Sequence, residues 1–292
     1  MIKKSVLGII FSVGLALSAH AQTHNLASAI GNLNWQVGAN THRIETSNAV
    51  ISTKDDEAFL QGKDAQDFMR LSEGHDRFKP DALIVKLGGS MAESVVLFQY
   101  AEIGYVKTDD WERNIDPDQI IRVIRKNTEM ANKAKAAGYE KIYVDGWVEK
   151  PYLDRQNAIV YWAVQGHSES GQQFINAKAL KLGRKGMSSL VWVGAPEQFH
   201  GATRNLKPAL QAYTYQDGFR YADYRTGVDT VAVAGVGAIA YKMLTGKSTK
   251  TAITAGAGIF AIFAALAKKF LFLLLVPFVF VWKAIKRLFS IN

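Results

Sequence analysis

The sequence predicts an α+β domain, an antiparallel meander sheet with packed helices, followed by C-terminal hydrophobic membrane helices. Three observations carry that expectation. Four runs rich in β-branched and aromatic residues follow one another between Lys141 and Val193, with short turns between them. An apolar pattern of helical period follows Asp116-Pro117. Beyond Val228 the composition turns apolar, with eight Lys/Arg against the single acid Asp229. Residues 22–227, by contrast, hold 25 basic and 25 acidic side chains, although the whole 292-residue chain carries a formal charge of +9. A neutral body with basic ends argues against nucleic-acid binding, which needs a positive footprint on the body itself.

Residues 1–21 have the three parts of a secretory leader. Lys3 and Lys4 supply the charge, Val6–Leu17 the short apolar stretch, and Ala19-His20-Ala21 a small-x-small cleavage site. Twelve apolar or small residues are too few to span a bilayer. The chain has no cysteine, so disulfides, thiol nucleophiles and cysteine metal sites are excluded together.

Within residues 22–227 a helix is expected around Asp64–Leu71. Ala82–Leu87 and Ser94–Tyr100 read as a hairpin turning at Gly88-Gly89-Ser90, with Ile103–Val106 continuing it. Asp116 caps a helix that Pro117 opens, and Ile120, Ile121, Ile124, Thr128 and Ala131 place its apolar face, with Gly138 ending it. The meander is then Lys141–Val148, Ala158–Gln165, Phe174–Leu182 and Ser188–Val193, with turns at Pro151–Asn157, Gly166–Gly171 and Gly183–Gly186. Pro196 opens a last helix, to about Ala212.

Residues 228–292 divide into three apolar segments: 228–245, 251–267 without a charge, and 270–282, interrupted by Pro277. Lys268-Lys269 is too costly for a bilayer midplane, so 251–282 is not one span. One, two or three crossings fit. Alanines four apart (Ala234 and Ala238; Ala257, Ala261 and Ala265) suit either close helix packing in lipid or plain helix propensity. The expected location is the bacterial inner membrane, with the domain on the periplasmic side and the bilayer as partner of 228–292.

Candidates for chemistry are sparse. Asp109-Asp110 and Asp145 are the weak catalytic candidates. The adjacent pair reads more simply as turn capping before the Asp116 helix. The histidines lack metal-pair spacing, so no metal is expected, and no cofactor motif appears. Thr245-Gly246-Lys247-Ser248 lacks the upstream glycine and strand of a phosphate loop. Gly183-Arg184-Lys185-Gly186 reads as a hairpin turn with its charges in water before it reads as an anion grip. The aromatics from Tyr213 to Tyr224 suit either a membrane–water boundary or a last strand of the body.

Four stretches, 104–111 (GYVKTDDW), 146–154 (GWVEKPYLD), 179–190 (ALKLGRKGMSSL) and 217–231 (DGFRYADYRTGVDTV), resemble in order the bacterial membrane-anchored proteins grouped as the DUF2167 family. The resemblance runs from about Ile44 to the C-terminus. It implies an exported domain with a hydrophobic tail, and it implies no activity, cofactor or site residue. The sequence therefore reads as an envelope binding or interaction module, with an envelope protein or a second copy as possible partner. The alternatives are a hydrolase using Asp109, Asp110 or Asp145, and an accessory subunit of a membrane transport assembly.

Overall fold

Strands that are apolar on both faces need cover on both faces, and this chain supplies it. The computed structural model describes residues 29–73, 79–88, 91–133 and 141–246. Eleven strands run in chain order: β1 (Gln36–Val37), β2 (Asn40–Ile44), β3 (Ala49–Thr53), β4 (Glu57–Gln61), β5 (Ala82–Gly88), β6 (Met91–Glu102), β7 (Ile142–Asp154), β8 (Ile159–Ser168), β9 (Gln173–Leu182), β10 (Gly186–Gly194) and β11 (Tyr213–Tyr215). The helices are α1 (Gly62–Glu73), α2 (Trp111–Asn114), α3 (Pro117–Lys133), α4 (Ala202–Ala212) and α5 (Val236–Thr245).

The main sheet has eight strands in the order β1-β4-β5-β6-β10-β9-β8-β7, every neighbouring pair antiparallel. The expected meander is β7 to β10. It returns to the middle of the sheet, where β10 pairs with β6 and sets Leu190 opposite Phe98. A smaller sheet, β11-β3-β2, lies over one face.

Side chains alternate between the two layers. Leu83, Leu97, Trp162, Leu180 and Val191 face α1, α3 and α5, and meet Phe68, Ile120, Ile124, Ile239 and Leu244 there. Ile84, Phe98, Ala177, Leu190 and Trp192 face the small sheet and α4, and meet Ile51, Leu206, Tyr213 and Tyr215. The result is three layers, and β10 is buried along its whole length. Tyr213 and Tyr215, read as membrane-boundary or strand residues, are core residues of β11.

The apolar segment 228–245, expected to be the first membrane segment, goes elsewhere. Ten of its residues form α5, whose Val236, Ile239, Ala240 and Leu244 are buried against α2 and α3. Ten residues rise about 15 Å, half the hydrocarbon thickness. Among the described residues no helix is long and apolar enough to cross a membrane. Hydropathy marks this helix because eight of its ten residues are buried, and protein covers them as lipid would. Its small residues have a specific use. The Asp110 carboxylate accepts from Gly237 N and Ala238 N, both at 2.9 Å, and so caps α5 from a loop far away in sequence. A Cβ on Gly237 would stand 2.7 Å from the Asp110 carbonyl oxygen. Residues 1–21, 251–267 and 270–282 lie outside the described residues.

Lys178 of β9 is buried on the helix-facing side, its Nζ 6.0 Å from the Trp162 ring centroid. Burial pulls its ammonium down to about 7, against an ordinary 10.5. Between those values the unfolded chain holds the proton that the folded chain releases, so stability rises with pH. Denaturant unfolding should show a gain on the order of a few kcal/mol from pH 7 to pH 10, and Lys178→Met should flatten that slope. A separate expectation concerns α5. Asp110→Ala should cost about 2 kcal/mol as a lost cap, and Gly237→Ala should cost at least as much through the backbone clash, both read by urea midpoint.

Candidate functional site

The cleft begins with a mismatch in strand length. β7 has 13 residues and its partner β8 has 10, so β7 absorbs the surplus in three register shifts, at Val144/Gly146, Trp147/Glu149 and Glu149/Tyr152. The first shift leaves Asp145 without a partner in the ladder. A bulge of this kind re-aims a side chain. Glycine makes the fold possible here. A Cβ on Gly166, opposite Val144, would come within 2.4 Å of the Tyr143 carbonyl oxygen.

Helix α3 holds the bulge from the sheet edge. Arg125 donates from Nε to the Val144 carbonyl at 3.1 Å, and from Nη2 to the Asp145 carbonyl. Asn132 bonds both backbone groups of Ile142, and Trp147 donates from its indole N–H to the Pro117 carbonyl at 2.9 Å. The Arg125 and Asn132 bonds also occupy backbone groups that an edge strand would otherwise offer to a passing chain.

Asp145 then meets His167 of β8, Oδ1 to Nδ1 at 2.8 Å. Tyr143 stacks on the imidazole, ring centroids 5.1 Å apart. The bond to Asp145 engages Nδ1 and leaves Nε2 for a ligand. Gln165, two residues before His167, faces Gly146; Gln173 of β9 faces His167. With Trp147 these groups line an open cleft of about 460 Å³. The lining offers a carboxylate acceptor, two amides that both donate and accept, an imidazole nitrogen and an indole.

The three expected carboxylates do not gather. Asp145 lines the cleft. Asp110 is buried beneath α5, and its cap serves that helix, not the Asp116 helix that follows it in sequence. Asp109 is exposed beside it. Asp116 itself caps α3 through bonds from Asp118 N and Gln119 N. His42 is a packing histidine, stacked on Phe59 at 3.8 Å and shifted down by burial. Among the described residues no three His, Cys, Asp or Glu side chains group as a metal site.

The basic turn is also corrected. Gly183–Gly186 does join β9 to β10, but Arg184 is not in water. It forms a two-pronged pair with Asp229, Nε to Oδ2 at 2.8 Å and Nη2 to Oδ1 at 2.7 Å, with side chains only 12% and 7% exposed. Nη1 adds a bond to the Gly218 carbonyl at 3.0 Å. Nearby, Tyr105 stacks on Tyr221 (4.5 Å) and Tyr224 (3.9 Å), and its backbone exchanges bonds with Thr230 and Ala232. The stretches 104–111, 179–190 and 217–231 thus build one clasp that lays the chain's later part on the sheet. The stretch 146–154 begins at the cleft.

These features define a class: an α+β domain with one main antiparallel sheet covered on both faces, a polar cleft at its bulged edge hairpin, and a clasped C-terminal segment. The sequence matches the model of family DUF2167, "Protein of unknown function", over residues 36–279, and the chain belongs to that family. Among solved structures it is similar to cyanobacterial PsbP (CyanoP) from Synechocystis sp. PCC 6803, at 10% identity and a TM-score of 0.36, covering 62% of this chain and 94% of that one. No curated protein matches.

The Arg184 guanidinium holds the Asp229 carboxyl down to about 2, from an ordinary 3.8. A carboxyl lowered on folding contributes stability above its unfolded value and loses it as pH falls toward its folded one. Thermal unfolding should therefore show stability lost between about pH 4 and pH 2. Asp229→Asn should lower Tm at pH 7, by roughly 5 °C or more, while making that acid-side loss shallower.

Proposed function

We propose that this chain is a binding module of the bacterial envelope, and that its Asp145–His167 cleft takes a polyhydroxylated polymer, a glycan strand. The observation that carries the reading is the lining. Gln165 and Gln173 each offer a donor and an acceptor, Asp145 accepts, and the Trp147 indole gives an apolar flank. Groups that both donate and accept match hydroxyls, which do the same. The leader-like residues 1–21 support delivery to the periplasmic side. The uncharged stretch 251–267 and the apolar stretch 270–282 support anchorage at the inner membrane, now without help from α5.

A second reading rests on the 2.8 Å bond between Asp145 and His167. A carboxylate that orients an imidazole makes a general base, and a water held by Nε2 would make the cleft hydrolytic.

Calorimetry of the full chain in detergent with the β-1,4-linked hexamer of N-acetylglucosamine tests both. Saturable binding weakened about tenfold by Gln165→Ala or His167→Ala is expected, the loss that follows from removing one good hydrogen bond. No binding, or binding indifferent to both changes, overturns the proposal. Shortening of the hexamer that stops in Asp145→Asn establishes the second reading.

A further inference from the structure

The outer surface of α3 is divided unequally. Ile120, Ile121, Ile124, Thr128 and Asn132 are buried against the sheet and α5. At 100° per residue the solvent side is one continuous arc of a margin and a broader outer band, with Glu129 of the margin bordering Arg122, Lys126 and Lys133. The margin carries Asp118, Arg125 and Glu129. The band carries Gln119, Arg122, Lys126, Met130 and Lys133, three or four residues apart, with no acid among them. Asp118 pairs with Lys150, and Arg125 is spent on the carbonyls of β7. Among the described residues no ion pair uses Arg122, Lys126 or Lys133. Met130, in the middle of these cations, is 52% exposed.

A separate contact fixes what lies beside this stripe. Asn127 of α3 donates from Nδ2 to the carbonyl of Thr245, the last residue of α5, at 2.7 Å. Gly246 ends the helix in the left-handed region, φ 68°. The uncharged stretch begins at Thr251. Five residues reach at most about 17 Å, less than the length of α3 itself. The chain thus leaves the described residues beside α3.

We propose that the stripe Gln119, Arg122, Lys126, Met130, Lys133 is a docking surface for anionic phospholipid, resting on the bilayer that the tail enters. The cations meet lipid phosphates, and Met130 reaches the boundary of the acyl chains. Two features favour a lipid surface over an acidic protein: the stripe is a line of cations around one exposed apolar side chain, and the tail brings a bilayer within reach. This inference rests on the membrane anchorage proposed above, and its test separates the two.

The chain contains no cysteine, so Met130→Cys gives one site for a spin label, and Thr214→Cys on the opposite layer gives a control. The full-length labelled protein is reconstituted into vesicles of phosphatidylglycerol and phosphatidylethanolamine, and into phosphatidylcholine alone. Expected is a label at 130 that collides with lipid-soluble oxygen several-fold more than the label at 214, in the anionic vesicles only. Half-molar salt, or Arg122→Glu with Lys126→Glu and Lys133→Glu, should return it to the aqueous value; the salt arm needs no variant to fold. A label at 130 that stays aqueous while the protein floats with anionic vesicles overturns the docking surface and leaves the anchorage standing. Failure to float overturns both. Equal burial in phosphatidylcholine, or burial that survives charge reversal, overturns the assignment to anionic phospholipid.

Discussion

A carboxylate set under the first turn of a distant helix holds this molecule together. Asp110 answers two of the N–H groups that α5 leaves open at its start, and the helix dipole adds to the attraction. Without that contact, Gly235 and Gly237 have no reason to be glycine and α5 has no fixed end against α2. Without α5, the helix-facing side of the sheet loses Val236, Ile239 and Leu244 from its core. The Arg184–Asp229 pair and the tyrosine stack on Tyr105 lead the chain to the position where Asp110 can act. Cap and clasp are therefore one device, and three of the four stretches that resemble DUF2167 compose it.

Much of this fold was legible beforehand, because local signals and tertiary need agree along the meander and in α3. Four β-rich runs became β7 to β10, and Asp116-Pro117 opened a helix as its chemistry requires. The small sheet went unread: its strands are five residues or fewer, and β11 joins from more than 150 positions away. The 228–245 segment was misassigned for a plain physical reason. Hydropathy measures the wish to leave water and is silent on whether protein or lipid receives the helix.

The cleft was legible only as Asp145, one weak candidate among three. Its partner depends on register across a hairpin, and a bulge moves that register by one, which no spacing rule anticipates. The available hint was glycine: Gly146 and Gly166 sit almost opposite each other in strands otherwise rich in large residues. Arg125 and Asn132 show why α3 matters to the cleft. The helix that shapes its bulge also carries the outer band of cations around Met130, so cleft and band share one support.

The junction of β6 with β10 has a kinetic meaning. These strands form the middle of the sheet, yet the whole of α3 and the meander must be made between them, and α5 comes later still. Entropy delays such remote closures, so the nascent polypeptide stays open until most of it has emerged. Such lateness leaves a long interval in which the polypeptide is still an extended strand, open to whatever handles it before it knits.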